Sequence, residues 1–433
     1  TDSYRATSAR LTPSAGDTPV TAALDRRLAT ASSFNRLTLH RGRHTVRLGG
    51  DYQRFPARER FSVGLTDPSF NDPSGDGFNP NLLPFDLSRG GERFEFADRG
   101  TGSLSTAFAQ DKVQLGPLVA NLGVRFDRYA FLVRGAQVQP RVGLAYRIDR
   151  TGTVLRASYN RNYQTPPNEN LLLASSPRAA LLAPPEVQRE LAGGAIPIRP
   201  QRENVSEAGL RQGLGRRVAV DAVYYHKNSS DLQDNDNFLD TGIVFPTSLA
   251  QARVNGFEAR LIAPELGRLS VSAGVTHYRA IVTPPFTGGL FLGAAAVEAL
   301  SEGPFVIDHD QTLGASALAI YRGRRWWTSW QARHDSGLVS NPSDPAVVAA
   351  DPDFFDLLPY VDLESDPPRA RPRTLLDAAV GYERYAGDRR VWELVLQVSN
   401  LTNRTALFNF QSVFVGTRLV QPRTAGVKFR WYW

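Results

Sequence analysis

The 433-residue chain contains no cysteine and no methionine. Without cysteine there is no disulfide framework, no thiolate metal site and no cysteine nucleophile. A chain that lacks an initiating methionine and starts "TDSYRATSAR", with no basic and apolar leader, is expected to be a processed or excised segment of something longer. Lysine is almost as scarce, with Lys112, Lys227 and Lys428 the only three. Long hydrophobic runs are missing too, and without about 18 clean apolar residues in a row a membrane-spanning helix is excluded. The longest uncharged run, between Arg279 and Glu298, is interrupted by Pro284, Pro285, Gly288 and Gly289 and reads as loop.

What is present looks soluble in bulk, with 21% charged residues and a mean hydropathy of −0.30. Length alone does not fix the number of domains, since barrels run long as single units. The net charge of +7 raises the question of nucleic acid or an anionic membrane. The arginines are spread singly along strand-like segments rather than gathered in one run, so no nucleic-acid partner is expected.

The residue pattern has period two almost everywhere. In "RLSVSAGVTHY" the residues Leu269, Val271, Ala273, Val275 and His277 alternate with Arg268, Ser270, Ser272, Gly274 and Thr276. The same alternation marks Val46, Leu48 and Tyr52 against Arg47, Asp51 and Gln53, and Trp392, Leu394, Leu396 and Val398 against Glu393, Gln397 and Ser399. Connections alternate as strictly as the strands. Short turns are expected at residues 41–43, 116–117, 149–152, 214–216, 265–267, 322–324 and 386–389. Long connections are expected at 55–93, 164–202, 230–251, 281–310, 337–372 and 401–420, with a brief one at 134–138.

The chain closes on "GVKFRWYW", an aromatic end of the kind that is expected to be buried. Its alternation puts Ala425, Val427, Phe429, Trp431 and Trp433 on one face and Thr424, Gly426, Lys428, Arg430 and Tyr432 on the other. Short turns at one end, long loops at the other and two-sided strands predict an all-β fold. That fold is a transmembrane antiparallel up-and-down β-barrel with short periplasmic turns and long extracellular loops. It has about 16 strands over residues 1–433, the first two poorly defined. The last strand is expected to close against a further strand, because unpaired edge groups in hydrocarbon are costly. A soluble β-propeller, the main rival, would repeat every 40 to 45 residues or so and would need no one-sided loops.

The stretches "LRASYNRNYQTPPNENLLL", "RPQRENVSEAGLRQGLGRRVAVDAVYYHKNSSDLQ", "ARVNGFEARL", "LQVSNLTNRTALF" and "QPRTAGVKFRWYW" stand in an order that resembles the barrel portion of TonB-dependent outer-membrane receptors. The resemblance implies a location in a Gram-negative outer membrane and a barrel of about 22 strands plugged by an N-terminal domain. It also implies coupling to the TonB system through that plug. A plug, a TonB box and about six strands on the N-terminal side are not visible in this chain. The implied function is uptake of a scarce solute (a ferric siderophore, cobalamin, an oligosaccharide or a peptide) captured by the extracellular loops, with outer-membrane lipid and the barrel-insertion machinery as further partners. The terminal aromatics Phe429, Trp431 and Trp433 would then be the assembly signal. A passive porin or surface-binding barrel without energy coupling stays open as the second reading.

Candidate sites are few, and no cofactor is expected. "IDHDQ" brings Asp308, His309 and Asp310 together where a long loop re-enters the barrel, a donor set suited to a transition metal, although only Asp308 and Asp310 can share a face. "DLQDNDNFLD" offers Asp231, Asp234, Asp236 and Asp240 as hard oxygen donors in an outer loop. A solvated loop is the commoner origin of both patterns. No serine elbow, His-Glu metal helix or phosphate loop occurs, so no enzyme is expected; a barrel hydrolase would have to rest on His309. Arg47, Asp51, Arg125, Asp127, Arg141, Arg156, Arg325 and Arg333 are expected to face the lumen and to pair with one another or with a plug. Trp326, Trp330 and Trp392 are expected to face lipid, and Trp327 to face inward.

Overall fold

The computed structural model describes residues 2–6, 20–75, 78–168, 170–183, 185, 188, 197–237, 243–289, 303–308, 310–340, 345–350, 354–412 and 416–433. Alternating side chains set the strands: β1 (Asp2–Ala6), β2 (Val20–Leu28), β3 (Ala31–Arg41), β4 (His44–Leu65), β5 (Phe94–Leu115), β6 (Leu118–Ala130), β7 (Arg134–Ile148) and β8 (Thr153–Gln164). After two short helices, α1 (Leu171–Ala174) and α2 (Pro177–Ala180), come β9 (Gln201–Leu214), β10 (Val218–Asn237), β11 (Val244–Leu266) and β12 (Leu269–Gly288). The chain continues through β13 (Phe305–Val306), β14 (Gly314–Arg322), β15 (Trp326–Asp335) and α3 (Pro345–Ala350). It ends with β16 (Val361–Asp362), β17 (Arg369–Ala370), β18 (Arg373–Ala386), β19 (Arg389–Ser399), β20 (Leu407–Ser412), β21 (Gly416–Leu419) and β22 (Thr424–Trp431).

Eighteen of these strands form one sheet, and β16–β17 and β20–β21 are separate two-stranded ladders in the loops. Pairing in the large sheet is antiparallel, strand to next strand, from β4 through β12. It continues through β14, β15, β18, β19 and β22. Both β2 and β3 pair with β4, the first against Ala57–Leu65 and the second against Arg54–His44, so they are two segments of one line interrupted at Ala29 and Thr30. Among the described residues β3 pairs only with β4, and β22 only with β19.

The short turns fall where the period-two pattern breaks. Six of them place a glycine in the left-handed region, at Gly42, Gly116, Gly152, Gly215, Gly267 and Gly387, which lets a hairpin close within a few residues. The brief connection expected at 134–138 is corrected: β7 already begins at Arg134, and the turn is residues 131–133. Several long loops are also shorter than expected, because β4 and β5 each run 22 residues, β11 runs 23, and β10 and β12 run 20. About 9 to 11 tilted residues suffice to cross a bilayer, so roughly half of each of these strands stands above it.

Outward-facing aromatics mark the two membrane levels. Near the short turns, Tyr321 lies 5.3 Å from Trp326, Tyr382 5.6 Å from Trp392, Trp392 6.0 Å from Phe429 and Phe429 6.2 Å from Trp431, ring centre to ring centre. Farther up the strands Tyr52, Phe126, Tyr159, Tyr224 and Phe257 are exposed on the same outer face. The upper level stands six to nine residues from the short-turn ends of its strands. At about 3.3 Å per residue with a tilt near 40° that is about 15 to 23 Å, within the apolar band of an outer membrane, about 25 Å tall. The aromatic end is not covered by protein: Val427 is 72% and Trp433 97% exposed. Burial of that end therefore falls to lipid.

Sidedness inverts above the bilayer. Along β4 the inward positions are Arg47 and Asp51 low in the barrel, then Phe55, Ala57, Phe61, Val63 and Leu65, all buried. The outward positions change from Val46, Leu48 and Tyr52 to the exposed Arg54, Arg58 and Arg60. The main apolar core lies here: Phe61, Val63, Leu65, Phe94 and Phe96 pack against Leu172 and Leu173 of α1 and against Ile243 and Phe245. This core sits inside the extracellular part of the sheet and holds a long loop in place.

Candidate functional site: the inner wall and its loops

Inward-facing residues of β5 to β9 build a polar wall. Asp127 of β6 is buried and accepts from Thr106 Oγ1 at 2.6 Å, from Arg125 Nε at 2.9 Å and from Gln139 Nε2. These partners come from three adjacent strands, placed opposite one another by the register Thr106↔Asp127 and Arg125↔Gln139. Beside them opens a cavity of about 510 Å³, lined by Arg125, Asp127, Gln139, Arg141, Asn162, Tyr163, Gln201 and Glu203.

Polar atoms without hydrogen-bond partners lie on and behind the lining of this cavity: Tyr163 lines it, Gln137 bonds the lining residue Asn162, and Tyr129 stands opposite Gly135 next to Tyr163. The hydroxyls of Tyr129 and Tyr163 and the Oε1 of Gln137 are buried and have none. Buried polar groups are rarely left this way, and a group of them on one wall is where a polar ligand can recover the lost bonds. Tyr129 is fixed by a stacked contact with Phe55 at 6.1 Å. Pairing of β7 with β8 ends at Arg141↔Asn160, and beyond that point the Tyr163 ring lies over Gly135. A Cβ at Gly135 would come within 2.4 Å of the Tyr163 hydroxyl, so that position accepts only glycine without movement.

A second cavity of about 730 Å³ lies on the wall from β9 to β15. Its floor is small, with Gly274, Ser272, Ser316 and Gly314, and its rim is charged, with Arg211, Asp221, Glu258, Arg260 and Arg333. Of the residues expected to pair in the lumen, Arg125 pairs with Asp127, while Arg156 and Arg333 pair with acids outside that set, Asp221 at 2.6 Å and Asp377 at 3.3 Å. Arg47, Arg141 and Arg325 have no ion-pair partner among the described residues. Trp327 turns inward as expected, donating Nε1 to Glu393 at 3.4 Å, while Trp326 and Trp330 are exposed on the outer face.

The metal candidates take other places. Asp310 is fully buried; its Oδ1 accepts from Arg369 at 2.7 Å and its Oδ2 from the Ala280 amide at 2.8 Å. Both oxygens are thus engaged in tying the returning loop to the edge of β12 and to the loop before β18. Asp308 is buried two residues away, and His309 lies outside the described residues. Asp234 and Asp236 are not in a loop as expected. They belong to β10, opposite Thr247 and Phe245 of β11, because this hairpin continues well above the membrane; Asp240 lies outside the described residues. Among the described residues no group of three His, Asp or Glu side chains could hold a metal ion.

Sequence reasoning missed Glu59. It is 1% exposed on β4 and accepts from the backbone amides of Leu172 at 3.2 Å and Leu173 at 3.0 Å, holding α1. Burial pushes its carboxyl up to about 7, against the two amide bonds that pull it down. Its signal was a lone acid within an apolar inward run, "FPARERFSV", which reads as loop until the inversion is known.

An outward apolar stripe between two aromatic levels, a polar inner wall and hairpins short on one side only define an outer-membrane β-barrel. The chain belongs to the family of TonB-dependent receptor-like β-barrels, whose sequence model matches residues 1–401. A comparison with curated proteins finds no match. Among solved structures the chain is similar to the ferric-catecholate import receptor Fiu of E. coli K12, at 16% identity and a TM-score of 0.59, covering 94% of this chain and 55% of that one. It is also similar to the copper transporter OprC, at 14% identity and a TM-score of 0.59, covering 96% and 58%. For BauA, the ferric preacinetobactin receptor of Acinetobacter baumannii, the values are 16% identity, a TM-score of 0.58, and coverage of 95% and 55%. The chain spans little more than half the length of these structures. The family is one of receptors rather than enzymes.

Proposed function

We propose that this chain is the barrel portion of a TonB-dependent receptor that takes up a scarce solute, captured between the extracellular loops and the polar inner wall. The observation that carries this is the unsatisfied group Tyr129, Tyr163 and Gln137 beside the 510 Å³ cavity, below loops braced by their own apolar core. Polar donors and acceptors on one wall give orientation, and the loops give enclosure. A ferric siderophore, cobalamin, an oligosaccharide or a peptide all remain within that chemistry. On this reading a plug and about six further strands complete the barrel, which would satisfy the outer edges of β3 and β22. TonB engages through the plug, and the terminal aromatics guide assembly into lipid.

The test is the intact mass of the native protein from outer-membrane fractions, followed by energised uptake of labelled solutes in cells with and without TonB. A mass near twice 47.6 kDa with TonB-dependent uptake supports the reading. A mass near 47.6 kDa with conductance independent of energy overturns it in favour of a passive porin.

A further inference from the structure

The arginines that stand apart in sequence are gathered by the topology at the short-turn end. Arg43, Arg150, Arg216, Arg217, Arg324 and Arg389 all lie in or beside these hairpins and all are exposed. None has an ion-pair partner among the described residues. At the same level Asp149 is occupied by Arg147 at 2.6 Å, leaving only Glu265 and Asp388 to offset the charge in the turns. At the opposite end, the long-loop stretch "PDFFDLLPYVDLESD" carries acids and no Lys or Arg.

The position of this basic ring selects its partner. Immediately above Arg324 and Arg389, on the outer face of β14, β15, β18, β19 and β22, run the aromatic side chains Tyr321, Trp326, Tyr382, Trp392, Phe429 and Trp431, and beside the turns that carry Arg43, Arg150 and Arg216 the exposed outward residues are Leu39, Tyr146 and Leu214. This places the ring at the depth of lipid headgroups. Arg384, opposite Trp392 in the β18–β19 register, is exposed on that same outward phase. A soluble acidic partner would need the charge to face the lumen or the aqueous side alone, whereas here the turn arginines lie next to lipid-facing apolar and aromatic positions of the same hairpins.

We propose that the periplasmic rim is a docking surface for the headgroups of anionic phospholipids in the adjoining leaflet. Their phosphates sit between the turn arginines, and their acyl chains lie along these apolar and aromatic positions. Arginine suits this role because its planar guanidinium forms paired hydrogen bonds to phosphate and stays charged. Each juxtamembrane arginine contributes about 1 kcal/mol to anionic-lipid attraction, roughly fivefold in occupancy.

The experiment uses the full native protein in nanodiscs of phosphatidylethanolamine with or without phosphatidylglycerol, and compares it with the variant Arg216→Gln/Arg217→Gln/Arg324→Gln/Arg389→Gln. Lipid retained by the protein after detergent exchange is counted by native mass spectrometry, and thermal unfolding is followed in parallel. The expected result is selective retention of phosphatidylglycerol, a higher unfolding temperature in its presence, and at least a tenfold loss of retention in the variant. Equal retention of the two lipids, or unchanged selectivity in a variant that unfolds normally, overturns the proposal. Displacement of the lipid by soluble polyglutamate at equal charge concentration would also overturn it, because the ring would then serve an acidic macromolecule.

Discussion

Raising the pH should loosen the loop that carries α1. Glu59 lies above the outer aromatic level of the barrel, buried beneath that helix, with its carboxyl pushed up to about 7 from 4.5 by burial. If the loop lifts, the carboxyl returns to water and to its ordinary value. Between the two values the docked state holds a proton that the open state releases, so docking weakens as pH rises from about 4.5 to about 7 and is level outside that window. The difference of about 2.5 units corresponds to about 3 kcal/mol, an order-of-magnitude figure at 1.36 kcal/mol per unit. The amides of Leu172 and Leu173, which donate to Glu59, report the opening directly. Their hydrogen exchange, corrected for intrinsic rates, should give an opening free energy larger at pH 5 than at pH 8. Glu59→Gln, neutral at every pH, should abolish the slope. An opening free energy that is equal at both pH values, or larger at pH 8, would refute the account of Glu59, as would a slope that survives in Glu59→Gln.

Other perturbations address the lipid face, the loop tether, the wall and the chain end. Leu396→Arg places a charge on an exposed outward position between Val380 and Val427 and should cost about 2 to 4 kcal/mol in vesicle unfolding if that site lies near the midplane; a neutral result would sink the face assignment. Arg369→Gln strands the buried Asp310 carboxylate, a loss of about 3 to 5 kcal/mol by the usual cost of breaking a buried pair. Faster proteolysis within 303–340 with an intact barrel is the expected readout, and unchanged cleavage would mean that the tether is idle. Gly135→Ala should displace Tyr163 and weaken solute binding about tenfold while leaving thermal unfolding of the barrel within about 1 kcal/mol of the parent; unaltered binding would remove Tyr163 from the site. Deleting Trp433 should slow assembly into the outer membrane, and assembly at the normal rate would show that the end carries no signal.

The membrane-spanning half of each strand was legible in the sequence because one face there must be apolar and the other polar. Leu269 through His277 show this, as do Trp392 through Val398. The short turns were legible from their glycines. The extracellular half was not. Beyond Arg54 the apolar residues of β4 move to the inward phase, so a pattern followed outward stops at Tyr52 and the rest reads as loop. In the β10–β11 hairpin above the bilayer, Asp231, Asp234 and Asp236 suggested a hydrated loop although the backbone is paired there. The turn at 131–133 was expected a few residues late, at 134–138, because it contains no glycine and Gly135 lies just beyond it. At the site, the charged residues of the wall were foreseeable from alternation. Asp310 with Arg369, and Glu59 with the Leu172 and Leu173 amides, join residues 59 and more than 110 positions apart. No local pattern encodes such pairs.

The inversion along β4 has a mechanical consequence for immersion. Because the outward stripe is apolar only from Val46 to Tyr52 and turns to Arg54, Arg58 and Arg60 above it, sinking the barrel by two residues would drag a guanidinium into hydrocarbon. Raising it by two would lift the turn-side aromatics out of their interface. Either displacement meets a restoring force, so the strand works as a depth gauge that keeps the extracellular loops at a constant height above the membrane.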